Sequence, residues 1–243
     1  MIKKFLSTLK MSLLFLPLIS ISQKSYAKFD KQLFDTLEEC CFNCSQIKES
    51  DITEIFSTKS QEDIIDTINY QTKDGWSLIH AAAFYCENDE IMKSFVKYPL
   101  KSINSKELLS ENTPLHYACQ QHIPNQNVVQ LLLSADANPN IKNVEWKTPL
   151  HFACTKEDPD TVKMLINSGA DLNAKDKLGK TPLHYACQCG RTEVIKVLLS
   201  NPFTCINIKD NNNKTPLDLS KAGKNSNVLN IWKIFNSSLR FFK

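Results

Sequence analysis

Four of the five histidines, His80, His116, His151 and His184, fall at one phase of a long internal period. Histidine titrates near neutral pH and is the commonest metal ligand, so such a set suits acid–base catalysis or a zinc site. The nine cysteines are the other candidates for chemistry. Cys40, Cys41 and Cys44 lie in a C-C-F-N-C run that contains a C-x-x-C. That spacing belongs to a redox dithiol or to half a zinc site. Core packing and a structural disulfide are the other two readings of the same thiols. A second C-x-x-C is missing, and no thioredoxin-like strand pattern adjoins the first. The sequence also lacks G-x-S-x-G, H-E-x-x-H, G-x-G-x-x-G and a phosphate-binding glycine loop. No carboxylate pair stands out. The expectation is a protein that is not an enzyme and carries no cofactor.

The elements that position the histidines are visible in the repeat itself. Thr113-Pro114-Leu115-His116-Tyr117-Ala118-Cys119 recurs at Thr148–Cys154 and again at Thr181–Cys187. A looser copy begins at Ser77 and another at Thr215, where Asp218 replaces the histidine. Successive copies start 36, 35, 33 and 34 residues apart. Thr caps a helix and Pro fits its first turn, so each T-P marks a helix start. In the third copy Leu150 and Ala153 face the neighbouring helix. A second helix is predicted from Thr161 to Ser168, with Val162, Leu165 and Ile166 at helical spacing. Gly169 ends it, and a turn carrying Asp176 and Gly179 leads to the next T-P-L-H. One such unit cannot bury its own apolar face, so neighbours must stack.

The period near 33 residues with Thr-Pro-Leu-His resembles the ankyrin repeat. The resemblance covers about residues 71–236. It implies an all-α solenoid of stacked helix-turn-helix units joined by β-hairpin-like loops. It also implies that His80, His116, His151 and His184 are structural, bonding to backbone and linking neighbouring units. Stacked units place these side chains in a column roughly 8–10 Å apart. That is too far for two of them to share a zinc with ~2.1 Å bonds. By the same spacing Cys119, Cys154 and Cys187 exceed the roughly 7 Å Cα limit for a disulfide, and are expected as free core thiols. His122 lies in a loop that two extra residues, around Pro124 and Asn125, lengthen. Trp146 stands where the family usually has a hairpin glycine.

Residues 71–243 read as about five repeats, the last a C-terminal cap with a helix from Asn227 to Leu239. Residues 28–70 read as capping helices or a degenerate repeat. There Asp30 to Cys44 forms a helix with Leu33, Phe34, Leu37, Cys40, Cys41 and Cys44 on one face, and Ser50 to Thr58 a second helix. Ile68-Asn69 mimics the Ile-Asn that closes other units, as in Ile103-Asn104 and Ile206-Asn207.

Residues 1–27 have the three parts of a secretory signal: Lys3, Lys4 and Lys10, an apolar run from Met11 to Ile21, and Ser25-Tyr26-Ala27 before a cleavage site. The apolar run is about half the ~20 residues of a spanning helix. An uncleaved anchor or an amphipathic start to the fold is the alternative. Cleavage predicts an exported chain, periplasmic or secreted, that begins near Lys28 and has no stable membrane insertion. Without the four lysines of this segment the chain carries 25 basic against 26 acidic residues. That balance argues against nucleic-acid binding. Lysine outnumbers arginine 27 to 2, as in AT-rich genomes. Export and repeats together suit a bacterial factor acting on host proteins. In a eukaryotic secreted chain, Asn43-Cys44-Ser45 and Asn213-Lys214-Thr215 would instead be glycosylation acceptors.

The resemblance further implies a concave groove lined by hairpin tips and first helices. Carried over by phase, its partner-binding residues include the aromatics Trp76, Phe84, Tyr85 and Trp146. The charged ones are Glu145, Lys147, Lys156, Lys177, Lys180 and Lys214. Exposed aromatics are common interface anchors, and lysines steer acidic partners. The expected partner of this monomeric scaffold is a protein segment with apolar anchors and acidic residues. The alternative is that Trp76 and Trp146 pack on neighbouring hairpins and the lysines serve solubility. A separate alternative function is thiol redox or metal binding at Cys40, Cys41 and Cys44.

Overall fold

The structure, a computed structural model, describes residues 30–43, 46–86, 89–121, 125–222 and 226–239. The expected signal segment, Cys44 and the loop residues His122 and Pro124 lie outside the described residues.

Thirteen helices appear among the described residues: α1 (Lys31–Phe42), α2 (Glu49–Ser57), α3 (Gln61–Asn69), α4 (Leu78–Tyr85), α5 (Glu90–Phe95), α6 (Pro114–Gln120) and α7 (Gln126–Ser134). They continue as α8 (Pro149–Ala153), α9 (Pro159–Asn167), α10 (Pro182–Cys189), α11 (Thr192–Ser200), α12 (Pro216–Ala222) and α13 (Ser226–Leu239). The arrangement is an all-α solenoid. An inner row stacks α1, α4, α6, α8, α10 and α12 in order, and an outer row stacks α2, α5, α7, α9, α11 and α13. One continuous apolar core runs between the rows from Leu33 to Trp232. Leu150 and Ala153 are buried in it, and so are Cys119, Cys154 and Cys187 as free thiols.

The helix starts follow local chemistry. Thr113, Thr148 and Thr181 are extended N-caps, each followed by Pro at the first helical position. The outer helix of the third unit begins at Pro159, two residues before the predicted Thr161. Asp158 caps it, accepting from the N–H groups of Asp160 (3.1 Å) and Thr161 (3.2 Å). α1 ends at Phe42, where the Asn43 N–H closes on the Glu39 carbonyl at 3.1 Å.

In residues 30–70, α1 and α2 stack on α4 and α5 as any unit stacks on the next. α3 is an additional helix, packed on α1 and α4. Ser60 caps it by accepting from Asp63 N–H at 3.1 Å. Asn69 sits at its last position, and its amide clasps the next unit through Pro99 O (2.8 Å) and Ser102 N–H (3.1 Å). Asn104, Asn140 and Asn173 repeat this clasp. Asn140, for example, reaches Gly169 O at 2.8 Å and Asp171 N–H at 2.7 Å. The amide supplies a donor and an acceptor together, which is what two facing loops with one free group each require.

The hairpins are also joined. Leu108 N–H donates to Asp74 O (2.7 Å), Val144 to Ser110 (2.9 Å), Lys177 to Glu145 (3.0 Å) and Asn211 to Leu178 (3.0 Å). A buried acceptor anchors each of the last three hairpins from within. Asn143 Oδ1, Asp176 Oδ1 and Asp210 Oδ1 each accept two backbone N–H groups of their own turn at 2.8–3.0 Å. Every hairpin has one residue in the left-handed region: Gly75 (φ 75°), Glu111 (54°), Trp146 (61°), Gly179 (72°) and Asn213 (60°). At Gly75 a Cβ would lie 2.5 Å from the Lys106 carbonyl oxygen, which is itself backbone. Gly75→Ala therefore combines a left-handed penalty with a clash that cannot rotate away. It is expected to lower stability by about 2 kcal/mol in chemical denaturation.

Candidate functional site

The face made by the hairpins and the inner helices includes Phe84 and Tyr85 on α4 and the hairpin residues Trp76, Glu145, Trp146, Lys147, Lys177, Lys180 and Lys214; Lys156 lies in the loop after α8. The histidine column underlies it. Each imidazole Nδ1 accepts from the backbone N–H of its own cap residue: Ser77 to His80 (3.2 Å), Thr113 to His116 (3.1 Å), Thr148 to His151 (3.0 Å) and Thr181 to His184 (3.0 Å). The opposite nitrogen, Nε2, meets a carbonyl of the next hairpin. These are Asn112 O (3.2 Å), Lys147 O (3.0 Å), Lys180 O (3.2 Å) and Lys214 O (3.1 Å). A carbonyl only accepts, so Nε2 carries the proton and each ring is neutral. Burial holds His80, His116 and His151 down to about 4, and lowers His184 in the same direction. A general acid working near pH 7 needs the opposite environment. In the last unit Asp218 accepts from Thr215 N–H (3.1 Å) and Thr215 Oγ1 (2.7 Å), doing the capping half of the histidine's work.

The N-terminal half of the face is aromatic. Trp76 is half-buried and stacks on His80, with ring centroids 5.3 Å apart. Phe84 meets Trp76 (6.4 Å), Tyr85 (4.7 Å) and Tyr117 (5.3 Å), and Tyr85 lies against Phe42 at 4.1 Å. The structure thus joins three expected residues, Trp76, Phe84 and Tyr85, with two not expected, Phe42 and Tyr117.

The C-terminal half is lysine-rich. Lys147 Nζ and Lys180 Nζ lie 5.3 and 5.5 Å from the Tyr185 ring centre, and Lys147 is also 5.8 Å from Phe152. Lys147 pairs with Glu145 at 2.6 Å, and Lys180 donates to Gln188 at 2.8 Å. Tyr185 donates to Asp176 at 2.6 Å; burial first, then this bond, raises its phenol. Burial and then Arg191 lower the Lys156 ammonium. Lys177 and Lys214 are exposed. Tyr117, Phe152 and Tyr185 each follow a repeat histidine. That phase was the signal available for them in the sequence.

Trp146 stands at a hairpin tip between the halves, 55% exposed, with Lys142 Nζ 5.8 Å from its ring. Leu109 and Leu178 are exposed at neighbouring tips. The thiols offer a different environment. Cys40 and Cys41 are buried, and burial, with Glu39 and Asp51, pushes the Cys40 thiol up to about 11. A reactive dithiol needs its thiol lowered. Among the described residues no group of three or more His, Cys, Asp or Glu side chains gathers as a metal site. No helix among them is long and apolar enough to cross a membrane.

A family model described as ankyrin repeats (3 copies) matches residues 42–143, 124–213 and 150–231. Among curated proteins, human Rabankyrin-5 is 35% identical over 141 residues, covering 51% of this chain and 11% of its own length. A probable serine/threonine-protein kinase of Dictyostelium discoideum is 31% identical over 135 residues, covering 54% of this chain and 15% of its own. A transient receptor potential cation channel subfamily A member 1 homolog of Caenorhabditis elegans is 40% identical over 77 residues, covering 32% and 6%. The chain therefore spans at most 15% of the length of these relatives.

Proposed function

The chain belongs to the ankyrin-repeat family, whose repeats serve as protein-interaction scaffolds, and on that premise we propose that it is an exported, monomeric scaffold that holds a protein partner on its hairpin and inner-helix face. The partner is a segment with apolar anchors and acidic residues. The anchors sit on Trp146 and the aromatic half; the acids meet Lys147, Lys156, Lys180 and, at the rim, Lys177 and Lys214. Export rests on the signal-like residues 1–27, and the host-directed role on that export. N-terminal sequencing of the mature chain, after cell fractionation, is expected to start near Lys28. A first residue of Met1 in the cytosolic fraction overturns export.

The single observation that carries the binding role is Trp146. A bulky residue at φ 61° is a backbone outlier where glycine fits without cost. Its ring is exposed as well, so the stacked fold gains little from it. Strain of this kind concentrates where a residue serves something beyond folding. Trp146→Gly is therefore expected to raise folding stability by about 1 kcal/mol. The same change should weaken the partner, once captured, by about 2 kcal/mol or more. Lys177→Glu with Lys180→Glu should mainly slow association at low salt. Unchanged partner affinity in Trp146→Gly moves the binding site off this face.

A further inference from the structure

We infer that the aromatic shelf at the N-terminal end of this face receives a cationic side chain, arginine or lysine, from the partner; the inference rests on the binding role proposed above. Phe42, Tyr85 and Phe84 form a contiguous row, at centroid separations of 4.1 and 4.7 Å, with Phe42 54% and Phe84 38% exposed. Rings alone would accept any apolar group. The charge beside them selects among occupants. Glu38 lies four residues before Phe42 on α1, so the two share a helix face. Its carboxylate is half-buried and has no hydrogen bond or ion pair among the described residues. It acts electrostatically on Tyr85, and burial followed by the charge of Asp35 raises its own carboxyl.

α1 adds to this field. Asp35, Glu38 and Glu39 are its acids and Lys31 its one base, two turns before Glu38. A half-desolvated carboxylate without a counter-ion is costly, and an arriving cation relieves it. Ring faces are negative and attract the same cation. The shelf and the carboxylate thus ask for one ligand chemistry, and the lysine half of the face asks for its opposite. The partner segment is therefore bipolar: its cationic residue lies over α1 and α4, and its acids lie over Tyr185 and the lysines.

The test uses the full chain and N-acetyl-arginine amide, with N-acetyl-glutamine amide as the neutral probe. The arginine probe is expected to shift the NMR ring signals of Phe42, Phe84 and Tyr85 at millimolar concentration, and the glutamine probe to leave them. Glu38→Gln should weaken the arginine probe about fivefold, and added salt should do the same. Equal binding of both probes, or an unchanged arginine affinity in Glu38→Gln, overturns the inference. If that happens while Trp146→Gly still loses the partner, the binding role stands and only the cation site falls. If the arginine probe binds but Trp146→Gly keeps full partner affinity, the role assigned to the hairpin tips falls instead.

Discussion

Between pH 6.5 and about 4 the protein is expected to lose most of its folding stability. In the unfolded chain each imidazole takes up a proton near pH 6.5. In the fold, burial delays that step to about pH 4 at His80, His116 and His151. Below pH 6.5 the unfolded state therefore binds more protons, and stability falls as pH falls. The contribution is complete above that pH and is lost progressively down to the folded value. Each shift corresponds to about 3 kcal/mol, and three of them to roughly 10 kcal/mol, within the whole stability of an ordinary domain. His184 acts in the same direction. The geometry explains the resistance. A proton added to Nδ1 would face the donating N–H of Ser77, Thr113, Thr148 or Thr181. The ring would then have to abandon its cap, loosening the helix start and the link to the next hairpin together.

Glu107 enters lower on the pH scale. Burial alone would raise Glu107, but the Ser110 hydroxyl and the N–H groups of Asn112, Leu109 and Ser110 outweigh it and hold it below its ordinary value. Its loss belongs below pH 4.5, under the lowest pH of a series that stops at pH 5. Urea denaturation at pH 7.5, 6 and 5 should show stability falling by about 4 kcal/mol per pH unit at the steepest point. Equal stability at pH 7.5 and pH 5 would falsify the neutral, buried column.

The parts of this structure that were legible in the sequence are those made by local chemistry. Thr at the cap, Pro at the first turn and His at the third position are bound to one another within four residues, so the motif itself marks α6, α8 and α10. Asp218 was legible as a departure at the histidine phase, and it keeps the cap bonds to Thr215 with an acceptor-only side chain. Trp146 stood out because it occupies a turn position suited to glycine. α3 was missed although Ser60 and Asp63 announce its start. The match of Ile68-Asn69 to Ile103-Asn104 suggested a closing loop; Asn69 makes the same clasp from a helix end. The aromatic shelf was out of reach for another reason. Phe42 and Tyr85 are 43 residues apart in sequence and meet because α1 stacks on α4. The grouping of Lys147 and Lys180 on Tyr185 likewise joins two units.

Leu150→Ala is expected to cost about 2–5 kcal/mol and to divide the molecule. Leu150 is fully buried in α8, which at five residues is the shortest inner helix among those described. α8 contacts α6 on one side and α10 on the other. Truncation removes apolar contact and leaves a cavity that neighbours close only in part. In a solenoid, stability is close to a sum of unit terms and nearest-neighbour terms, so a central loss weakens both interfaces of one unit. The His116 link into the Lys147 carbonyl and the His151 link out to Lys180 flank the same helix, and both depend on its position. The expected result is two unfolding steps in place of one. Amide exchange should quicken in α10 to α12 before α4 and α6 lose protection, since the C-terminal units keep fewer neighbours once the junction weakens. Leu178→Ala, at an exposed hairpin tip, should change stability by no more than about 0.5 kcal/mol. A single cooperative transition with less than about 1 kcal/mol lost in Leu150→Ala would mean that the stack closes over the gap, and that the third unit is not the junction on which the two halves depend.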